Sequence, residues 1–222
     1  MSASASGKTP DTPALDDIRS AVKGLDPRPV GHYSYFSVLI PLVEKDGELH
    51  ILYEVRSDEL RRQPGEISFP GVRMEDGESA ADCAVRETCE ELCIPECAVS
   101  LIGELNYIIT YSNFTMYCFL GIIDADALSG NLPNSAEVKE TFTVPLSFLL
   151  ENEPEIYINR VAPIVSDDFP LDKIHPGEGY AWREGRNEVL IYTYRDEDTG
   201  REYVIWGLTA RLTNDFIGII NR

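Results

Sequence analysis

The stretch EDGESAADCAVRETCEEL, residues Glu75–Leu92, has the composition of a helix that carries an unusual number of acids. Seven of its side chains are acidic and only one, Arg86, is basic. Ser79 is the expected N-cap, with Asp82 as its capping-box partner. A helical projection at about 100° per residue separates two sides. The side that we expect to face the core carries Ala81, Val85, Thr88, Cys89 and Leu92. The other side carries Cys83, Glu87, Glu90 and Glu91.

The carboxylates on this second side repel one another. Glu87 is spaced i,i+3 and i,i+4 from Glu90 and Glu91, and each like-charged pair of this kind costs about 0.2–0.5 kcal/mol. Negative charge in a last helical turn also opposes the helix dipole. One interpretation is a plain solvated face. The other is a bound divalent cation, which would reverse the sign of every one of these interactions. Clustered carboxylate oxygens suit the hard cations Mg²⁺ and Mn²⁺.

The composition argues against several classes of protein. A formal net charge of −19 repels both a nucleic-acid backbone and an anionic membrane, so we expect neither as a partner. No apolar run reaches the length of about 18 residues that a membrane span needs. The N-terminal MSASASGKTP lacks the apolar core of a secretion signal. Five cysteines, an odd number, argue against a full disulfide framework, and a cytoplasmic location is the simplest expectation.

The chain is expected to have one main domain. Residues 1–11 are rich in Ser, Ala and Pro, and we expect a disordered tail. Residues 12–30 are expected to form a short helix, capped by Thr12 with Pro13 at its first position, and a linker. No composition shift after residue 30 suggests a further boundary. Residues 31–222 are therefore predicted to form a single domain.

Alternating hydrophobic runs predict strands over much of that domain. SYFSVLIPLV and LHILYEV flank Asp46-Gly47, which is a hairpin turn signal. NEVLIYTYRDEDTGREYVIWG predicts a second hairpin, and ETFTVPLSFLL a strand that runs into a short helix. LTARLTNDFIGII is expected to form a closing amphipathic helix. Hairpins require antiparallel pairs and the interspersed helices cover the faces, so the prediction is an α/β domain with a mixed β-sheet.

The register of the charged residues is more specific than the helix itself. GESAADCAVRETCEELCI resembles the Nudix box, in which a Gly is followed at fixed spacing by a Glu, an Arg-Glu pair and a Glu-Glu pair. The residues of this chain that stand at the box spacing are Glu78, Arg86, Glu87, Glu90 and Glu91. The resemblance implies a Nudix-like α/β/α sandwich with a mixed sheet, and a metal-dependent hydrolase of diphosphates.

A second motif lies just upstream. ILYEVRSDELRRQPGEISFPGV looks like the segment that marks the coenzyme A diphosphatase branch of that superfamily. The matching positions are Leu52, Arg56, Ser57, Arg61, Gly65, Phe69, Pro70 and Gly71. IWGLTARL near the C-terminus also looks like the closing segment of these enzymes. The likeness implies hydrolysis of coenzyme A or a derivative to 3′,5′-ADP and 4′-phosphopantetheine.

The resemblance also implies roles for individual residues. Glu87, Glu91 and then Glu90 are the implied metal ligands, for Mg²⁺ or Mn²⁺. Glu78 is expected to pair with Arg86 and to brace the loop against the helix. Arg56 and Arg61 are the candidates for binding phosphate, because the guanidinium fork matches phosphate oxygens. Glu137 and Glu140 either supply a base from a distant loop or are ordinary solvated acids.

Two positions depart from the box. Its first Gly is replaced by Val72, and its last Gly by Cys93. If either position needs a positive φ, a side chain there is strained. We expect Val72 to disturb the loop beside the metal and Cys93 to occupy a left-handed helix C-cap at some cost in stability.

Other functions remain open at this point. The same fold would serve ADP-ribose, NADH or another nucleoside diphosphate derivative. A catalytically weak module that binds a nucleotide as a sensor is the third reading, although a pure binder has no need of a costly carboxylate cluster. A homodimer is one of the oligomeric states that the sequence leaves open.

Overall fold

The computed structural model describes residues 13–25, 27, 29–31, 33–174 and 180–222. The strands are β1 (Ser34–Lys45), β2 (Glu48–Arg56), β3 (Ile67–Ser68), β4 (Gly71–Arg73), β5 (Val99–Glu104), β6 (Ile108–Ile109), β7 (Phe114–Ile123), β8 (Val138–Pro145), β9 (Glu155–Val161), β10 (Gly185–Arg195) and β11 (Glu202–Trp206). The helices are α1 (Leu15–Lys23), α2 (Ala80–Leu92), α3 (Ala125–Leu128), α4 (Leu146–Glu151), α5 (Leu171–Ile174) and α6 (Gly207–Ile220), with a 3₁₀ turn at Glu96–Ala98. No helix in the described ranges has both the length and the apolar character needed to cross a bilayer.

The chain divides into two units, Met1–Tyr33 and Ser34–Arg222. The first contains α1, which begins after Ala14, so the placement of Pro13 at the first helical position was wrong. The Asp17 carboxylate accepts a hydrogen bond from the Ala14 N–H at 3.0 Å, and this bond performs the capping expected of Thr12. Thr12 and the predicted tail at 1–11 lie outside the described residues.

The second unit is built on a mixed sheet, as predicted. Its main path runs β3-β2-β1-β7-β5, with β4, β6 and β8 paired to β1, β7 and β2. The β1–β2 hairpin turns at Asp46 and Gly47, where φ is 56° and 81°, so the turn signal in the sequence was correct. β1 and β7 run parallel, whereas β1 and β2 run antiparallel. A separate sheet has the order β11-β10-β9; its outer strand β9 was not predicted.

The main sheet lies between two apolar layers, which gives the predicted α/β/α arrangement. Side chains alternate between the faces of a strand. On β2, Tyr53 and Val55 belong to the large core that includes α6 and strands β10 and β11. Leu52 instead packs with Leu92 of α2 on the opposite face. Helix α2 therefore covers one face of the sheet, and α6 with the small sheet covers the other.

Part of the acidic side of α2 is turned inward, which contradicts the helical projection there, although Thr88 and Leu92 are buried as expected. Glu87 and Glu91 are buried, whereas Val85 and Cys89, expected in the core, are only half-buried. The contact with the sheet is made by small residues such as Ala84, which packs on Leu39 and Phe119. Thr88 satisfies its own hydroxyl by donating to the Ala84 carbonyl at 2.7 Å. Small side chains bring the helix close to the sheet, and the neighbouring carboxylates are carried inward with it.

Both ends of α2 follow from local sequence. The Ser79 hydroxyl accepts a hydrogen bond from the Asp82 N–H at 3.1 Å, so the predicted N-cap is confirmed. At the other end Cys93 adopts the left-handed conformation, with φ 54° and ψ 42°. The predicted left-handed C-cap is thus occupied by a residue with a Cβ, which strains the backbone there.

Replacing Cys93 by glycine is expected to stabilise the protein. Relief of the left-handed strain, about 1–2 kcal/mol, exceeds the added unfolded-state entropy of glycine, about 0.4–1 kcal/mol. Cys93→Gly should therefore raise the free energy of unfolding by about 0.5–1 kcal/mol, measured by urea denaturation. Cys93→Ala keeps the Cβ and is the matched control, expected to be no more stable than the wild type. An equal gain in both variants would show that the thiol, and not the backbone, is responsible.

Candidate functional site

Three carboxylates from two parts of the fold meet above the sheet. Glu87 and Glu91 stand one turn apart on α2, and Glu137 lies in the turn that precedes β8. One oxygen from each residue lies within 4.8 Å of the others. Glu87 and Glu91 are only 7% and 6% exposed, whereas Glu137 is open to solvent. We call these three side chains the acidic triad.

Glu91 is held in place by the backbone of β4. Its Oε2 accepts a hydrogen bond from the Gly71 N–H at 2.9 Å. Gly71 has φ 147°, and a Cβ built on it would lie 2.2 Å from the carbonyl oxygen of Ser37 and 2.7 Å from the Cα of Val38. Only glycine lets β4 approach β1 closely enough at this point to present its N–H to Glu91.

The turn that carries Glu137 is attached at both ends. The Asn134 N–H donates to the carbonyl of Glu91 at 2.8 Å, which joins the turn to the end of α2. The Ser57 N–H donates to the carbonyl of Glu137 at 2.8 Å, which joins the turn to the end of β2. Asn134 also accepts a hydrogen bond at its side-chain oxygen from the Ala136 N–H at 3.2 Å. These bonds place the third carboxylate opposite the first two.

The predicted pair of Glu78 and Arg86 is present. Arg86 Nε donates to Glu78 Oε1 at 2.8 Å, and a second nitrogen donates to Oε2 at 3.2 Å. Arg86 also donates to Glu87. The bonds with Arg86 hold the pKa of the Glu78 carboxyl at about 2. Glu78 also accepts from the Glu75 N–H at 3.1 Å, so the pair ties the loop before α2 to the helix.

The electrostatics of the acidic triad favour a cation. Burial raises the pKa of Glu91 to about 8; the Gly71 N–H lowers it and the Glu87 and Glu137 charges raise it. Burial also raises the pKa of Glu87, although Arg86 opposes this. Carboxylate oxygens that converge in a poorly hydrated place are destabilised when ionised. The donor set and its spacing therefore fit a hard divalent cation, which would remove this repulsion.

The remaining residues predicted for the site lie outside the acidic triad. Glu90 is exposed and outside the triad, and its carboxylate lies 3.4 Å from an Arg86 nitrogen. Arg56 ends β2, and its Nε is buried without a hydrogen-bond partner among the described residues. Arg61 is exposed in the loop between β2 and β3. Glu140 pairs with Arg201 at 2.6 Å, so only Glu137 of the two loop candidates reaches the triad.

The prediction that Val72 disturbs the loop beside the metal site was wrong. Val72 lies in β4 opposite Ser37, in an extended conformation that suits a β-branched residue. Within β4, only the preceding residue, Gly71, has a positive φ. The position that requires glycine in this segment is therefore kept, and the valine only presents a partly exposed side chain.

Sequence reasoning missed Glu54. This residue lies near the end of β2, is 2% exposed, and has a buried Oε1 without a hydrogen-bond partner in the described part of the chain. A signal was present, because Glu54 is a lone acid inside the apolar run HILYEV, where a core-facing or strand-paired residue is expected.

The comparison with known proteins agrees with this geometry. The family model described as NUDIX domain matches residues 35–161, more than half of the chain. The chain belongs to the Nudix hydrolase family. The matched region includes the acidic triad, Arg86 and both strands that position Glu91. Nudix hydrolases act on phosphorus-containing anhydrides of small nucleotide-like molecules and generally use divalent metal ions, so the chain is a hydrolase of that class.

Two curated Nudix relatives match most of the chain. Peroxisomal coenzyme A diphosphatase NUDT7 of Mus musculus is 30% identical over 206 residues, which is 89% of this chain and 76% of the relative. Nudix hydrolase 3 of Caenorhabditis elegans is 36% identical over 193 residues, 85% of this chain and 74% of the relative. A solved MutT/nudix family structure from Enterococcus faecalis is 12% identical and covers 95% of this chain and 71% of its own, with a TM-score of 0.49.

The raised pKa of Glu91 predicts a pH dependence of stability without metal. Its folded-state pKa, about 8, exceeds the ordinary value of 4.5, so its contribution is complete at low pH and is lost as the pH rises toward 8. Burial lowers the pKa of His50, so the opposing His50 contribution is already complete above its ordinary value of 6.5. In EDTA, the melting temperature should therefore fall between about pH 6.5 and pH 8.5.

Calorimetry at a series of pH values in this window measures the fall. The charges that face Glu91 are Glu87, Glu137, Glu54 and Arg56. Because Glu54 and Glu87 also have raised pKa values, Glu91→Gln should make the fall in melting temperature smaller without abolishing it. Added Mg²⁺ should restore more stability at pH 8.5 than at pH 6.5, because it binds the ionised carboxylates. A wild-type melting temperature that rises across the window in EDTA would contradict this account.

Proposed function

We propose that the chain hydrolyses the diphosphate bond of coenzyme A or a derivative, giving 3′,5′-ADP and 4′-phosphopantetheine. The observation that carries the proposal is the convergence of the acidic triad within the electrostatic reach of Arg56, whose charge acts on Glu91. Triad residues are suited to a divalent cation, and Arg56 belongs to the segment that resembles the coenzyme A diphosphatase motif. The relative whose name includes coenzyme A diphosphatase supports the same substrate, since the likeness extends over 89% of this chain.

The cation is proposed to be Mg²⁺ or Mn²⁺, held by Glu87, Glu91 and Glu137. When bound, it neutralises diphosphate oxygens, orients water and stabilises the charge that develops during hydrolysis. Glu91 is aimed by the Gly71 N–H, and Glu87 by Arg86. Glu90, which also pairs with Arg86, stays a prediction as a ligand, and in the present arrangement it neutralises part of the Arg86 charge.

Arg56 is proposed to bind a phosphate of the substrate. Its charge acts on both Glu91 and Glu54, and so reaches the acids on the face of the sheet that α2 covers. No ion pair within 4.0 Å satisfies it in the described residues, so its fork is available for an anion. Such a local cation is needed, because the chain as a whole carries a net charge of −19 and repels anionic substrates. Arg61, exposed in the adjoining loop, is proposed to bind further along the same substrate.

Glu137 is the candidate for holding the proton of the attacking water. It is the exposed member of the triad, so water reaches its carboxylate more easily than those of Glu87 and Glu91. Water adds to one phosphorus atom, the bridging P–O bond breaks, and the bridging oxygen leaves with the other phosphate. The proton released by the water passes to a Glu137 oxygen and then to solvent. The Glu78–Arg86 pair keeps the helix and the preceding loop in register during this step.

The setting of the reaction is proposed to be the cytoplasm, with a small-molecule substrate and without nucleic acid or membrane as a partner. All five cysteines are free, which suits a reducing compartment. The name of the mouse relative places that protein in peroxisomes. The peroxisome is therefore the second location in which to look for this chain. A homodimer stays among the open states.

Hydrolysis assays test the proposal. The purified chain is incubated with coenzyme A, ADP-ribose and NADH, each with Mg²⁺ or Mn²⁺, and the products are separated by chromatography. We expect 3′,5′-ADP from coenzyme A at a higher kcat/KM than for the other two substrates. Glu87→Gln should lower kcat by about a hundredfold or more, because one charged ligand is lost.

Glu96→Gln is the matched control, since Glu96 is an exposed acid just beyond the same helix, and its activity should equal that of the wild type. Preferential cleavage of ADP-ribose or NADH would contradict coenzyme A as the substrate but would still agree with a hydrolase. Absence of turnover with all three substrates, together with tight nucleotide binding, would support a sensor instead.

A further inference from the structure

Glu54 is a buried carboxylate that the proposed mechanism does not use. It lies near the end of β2, between β3 and β8, and is 2% exposed. Its backbone is paired with Ser68 and Thr141, so strand formation does not require an acid here. The Oε1 atom has no hydrogen-bond partner in the part of the chain that the structure describes.

The side chain of Glu54 points toward α2. Alternation along β2 places Leu52, Glu54 and Arg56 on one face, and Tyr53 and Val55 on the other. Leu52 packs against Leu92 of α2, whereas Tyr53 and Val55 lie in the core shared with α6. Glu54 therefore stands one step along the strand from the contact with the last turn of α2, on the side where Glu87 and Glu91 are buried.

The charged groups that act on Glu54 are those of the site. Glu91 has the largest charge effect, followed by Arg56, Glu137 and Glu87. Burial raises the pKa of Glu54 well above its ordinary value, and the Glu91 charge raises it further. Arg56 opposes both effects, yet no ion pair joins it to Glu54 among the described residues. Glu87 and Glu91 of α2 and Glu137 of the turn before β8 thus all act on the Glu54 carboxylate, so the four acids belong to one electrostatic cluster.

An unpaired carboxylate in this position destabilises the fold. Moving a charge out of water is expensive unless a partner compensates for it. An apolar side chain such as that of Leu52 would fill the same face of the strand without this cost. Because the neighbouring groups are mostly carboxylates, the partner that would compensate for this charge is a small cation that contacts several carboxylates at once.

We propose that Glu54 supplies a fourth carboxylate to the divalent-cation site formed by the acidic triad. The inference rests on the proposed function, which requires that site. Glu54 is not one of the residues through which the chain resembles the Nudix box or the upstream motif. Its oxygens lie outside the set that converges within 4.8 Å, so it extends the site inward, toward β2, rather than duplicating a triad position.

Measurement of Mn²⁺ binding tests the proposal without any substrate. The dissociation constant is determined by electron paramagnetic resonance of free Mn²⁺ for the wild type, Glu54→Gln and Glu104→Gln at pH 8. Glu104 is an exposed acid on β5, so its variant should bind like the wild type. Glu54→Gln should weaken binding about tenfold or more.

Thermal unfolding of the same proteins separates ligation from a structural role. In EDTA, Glu54→Gln should melt at the wild-type temperature or above it, because an unpaired buried charge is gone. The rise in melting temperature caused by Mn²⁺ should be smaller than in the wild type. Glu54→Leu gives the same comparison with an apolar side chain if the glutamine variant folds poorly.

Unchanged Mn²⁺ affinity in Glu54→Gln, with wild-type binding intact, would overturn this inference and leave the proposed function standing. A lower melting temperature in EDTA with the same Mn²⁺-induced rise would also overturn it, since Glu54 would then be structural. If the wild type itself binds no Mn²⁺, the proposed function fails together with the inference.

Discussion

The hydrogen bond from the Gly71 N–H to the Glu91 carboxylate is the interaction on which the site depends. It joins the acidic helix to the strand that β1 holds in place, and it exists because no Cβ separates Gly71 from the Ser37 carbonyl. The backbone carbonyl of the same glutamate accepts a second hydrogen bond, from the Asn134 N–H at 2.8 Å. Helix, strand and turn therefore meet at one residue, and the positions of Glu87 and Glu137 follow from that meeting.

This arrangement opposes stability in the absence of a cation. Glu54, Glu87 and Glu91 are all buried, and for each of them burial is the main reason for a raised pKa. The rest of the domain has to offset this strain through ordinary packing, which the large core around Tyr53 and Phe216 provides. Glu91 is held by one backbone N–H, Glu87 by Arg86, and the Glu54 Oε1 has no hydrogen-bond partner in the described ranges. Clusters of buried acids with raised pKa values are typical of sites that bind something. Arg86 compensates in part, but it is directed mainly to Glu78 and serves the helix rather than the whole cluster.

The sequence predicted the architecture well wherever local rules decide it. The turn at Asp46-Gly47, the cap at Ser79 and the left-handed Cys93 depend on a few neighbouring residues, and all three were correct. The predicted core face of α2 was correct for Thr88 and Leu92 but wrong in leaving Glu87 and Glu91 outside. That burial depends on small residues such as Ala84, which let the helix approach the sheet. Charge and hydropathy favour an outward acidic side, and only tertiary packing reverses that preference.

The site was predictable where residues that are close in the sequence are also close in space. Glu78 and Arg86 stand eight residues apart, and their bond was expected from the motif. Glu137 was only one of two open candidates, because the turn that carries it reaches the helix through backbone bonds that no side-chain pattern reveals. Glu54 was missed for the same reason, since the acids that act on its charge lie on α2 and in the turn before β8.

Diffraction from crystals grown with Mn²⁺, recorded for anomalous scattering of manganese, tests the central claim most directly. We expect an anomalous peak among Glu87, Glu91 and Glu137, at about 2.1–2.3 Å from carboxylate oxygens of Glu87 and Glu91. A peak only elsewhere on this acidic surface, with the buried carboxylates paired instead to a cationic side chain of the protein, would contradict the account.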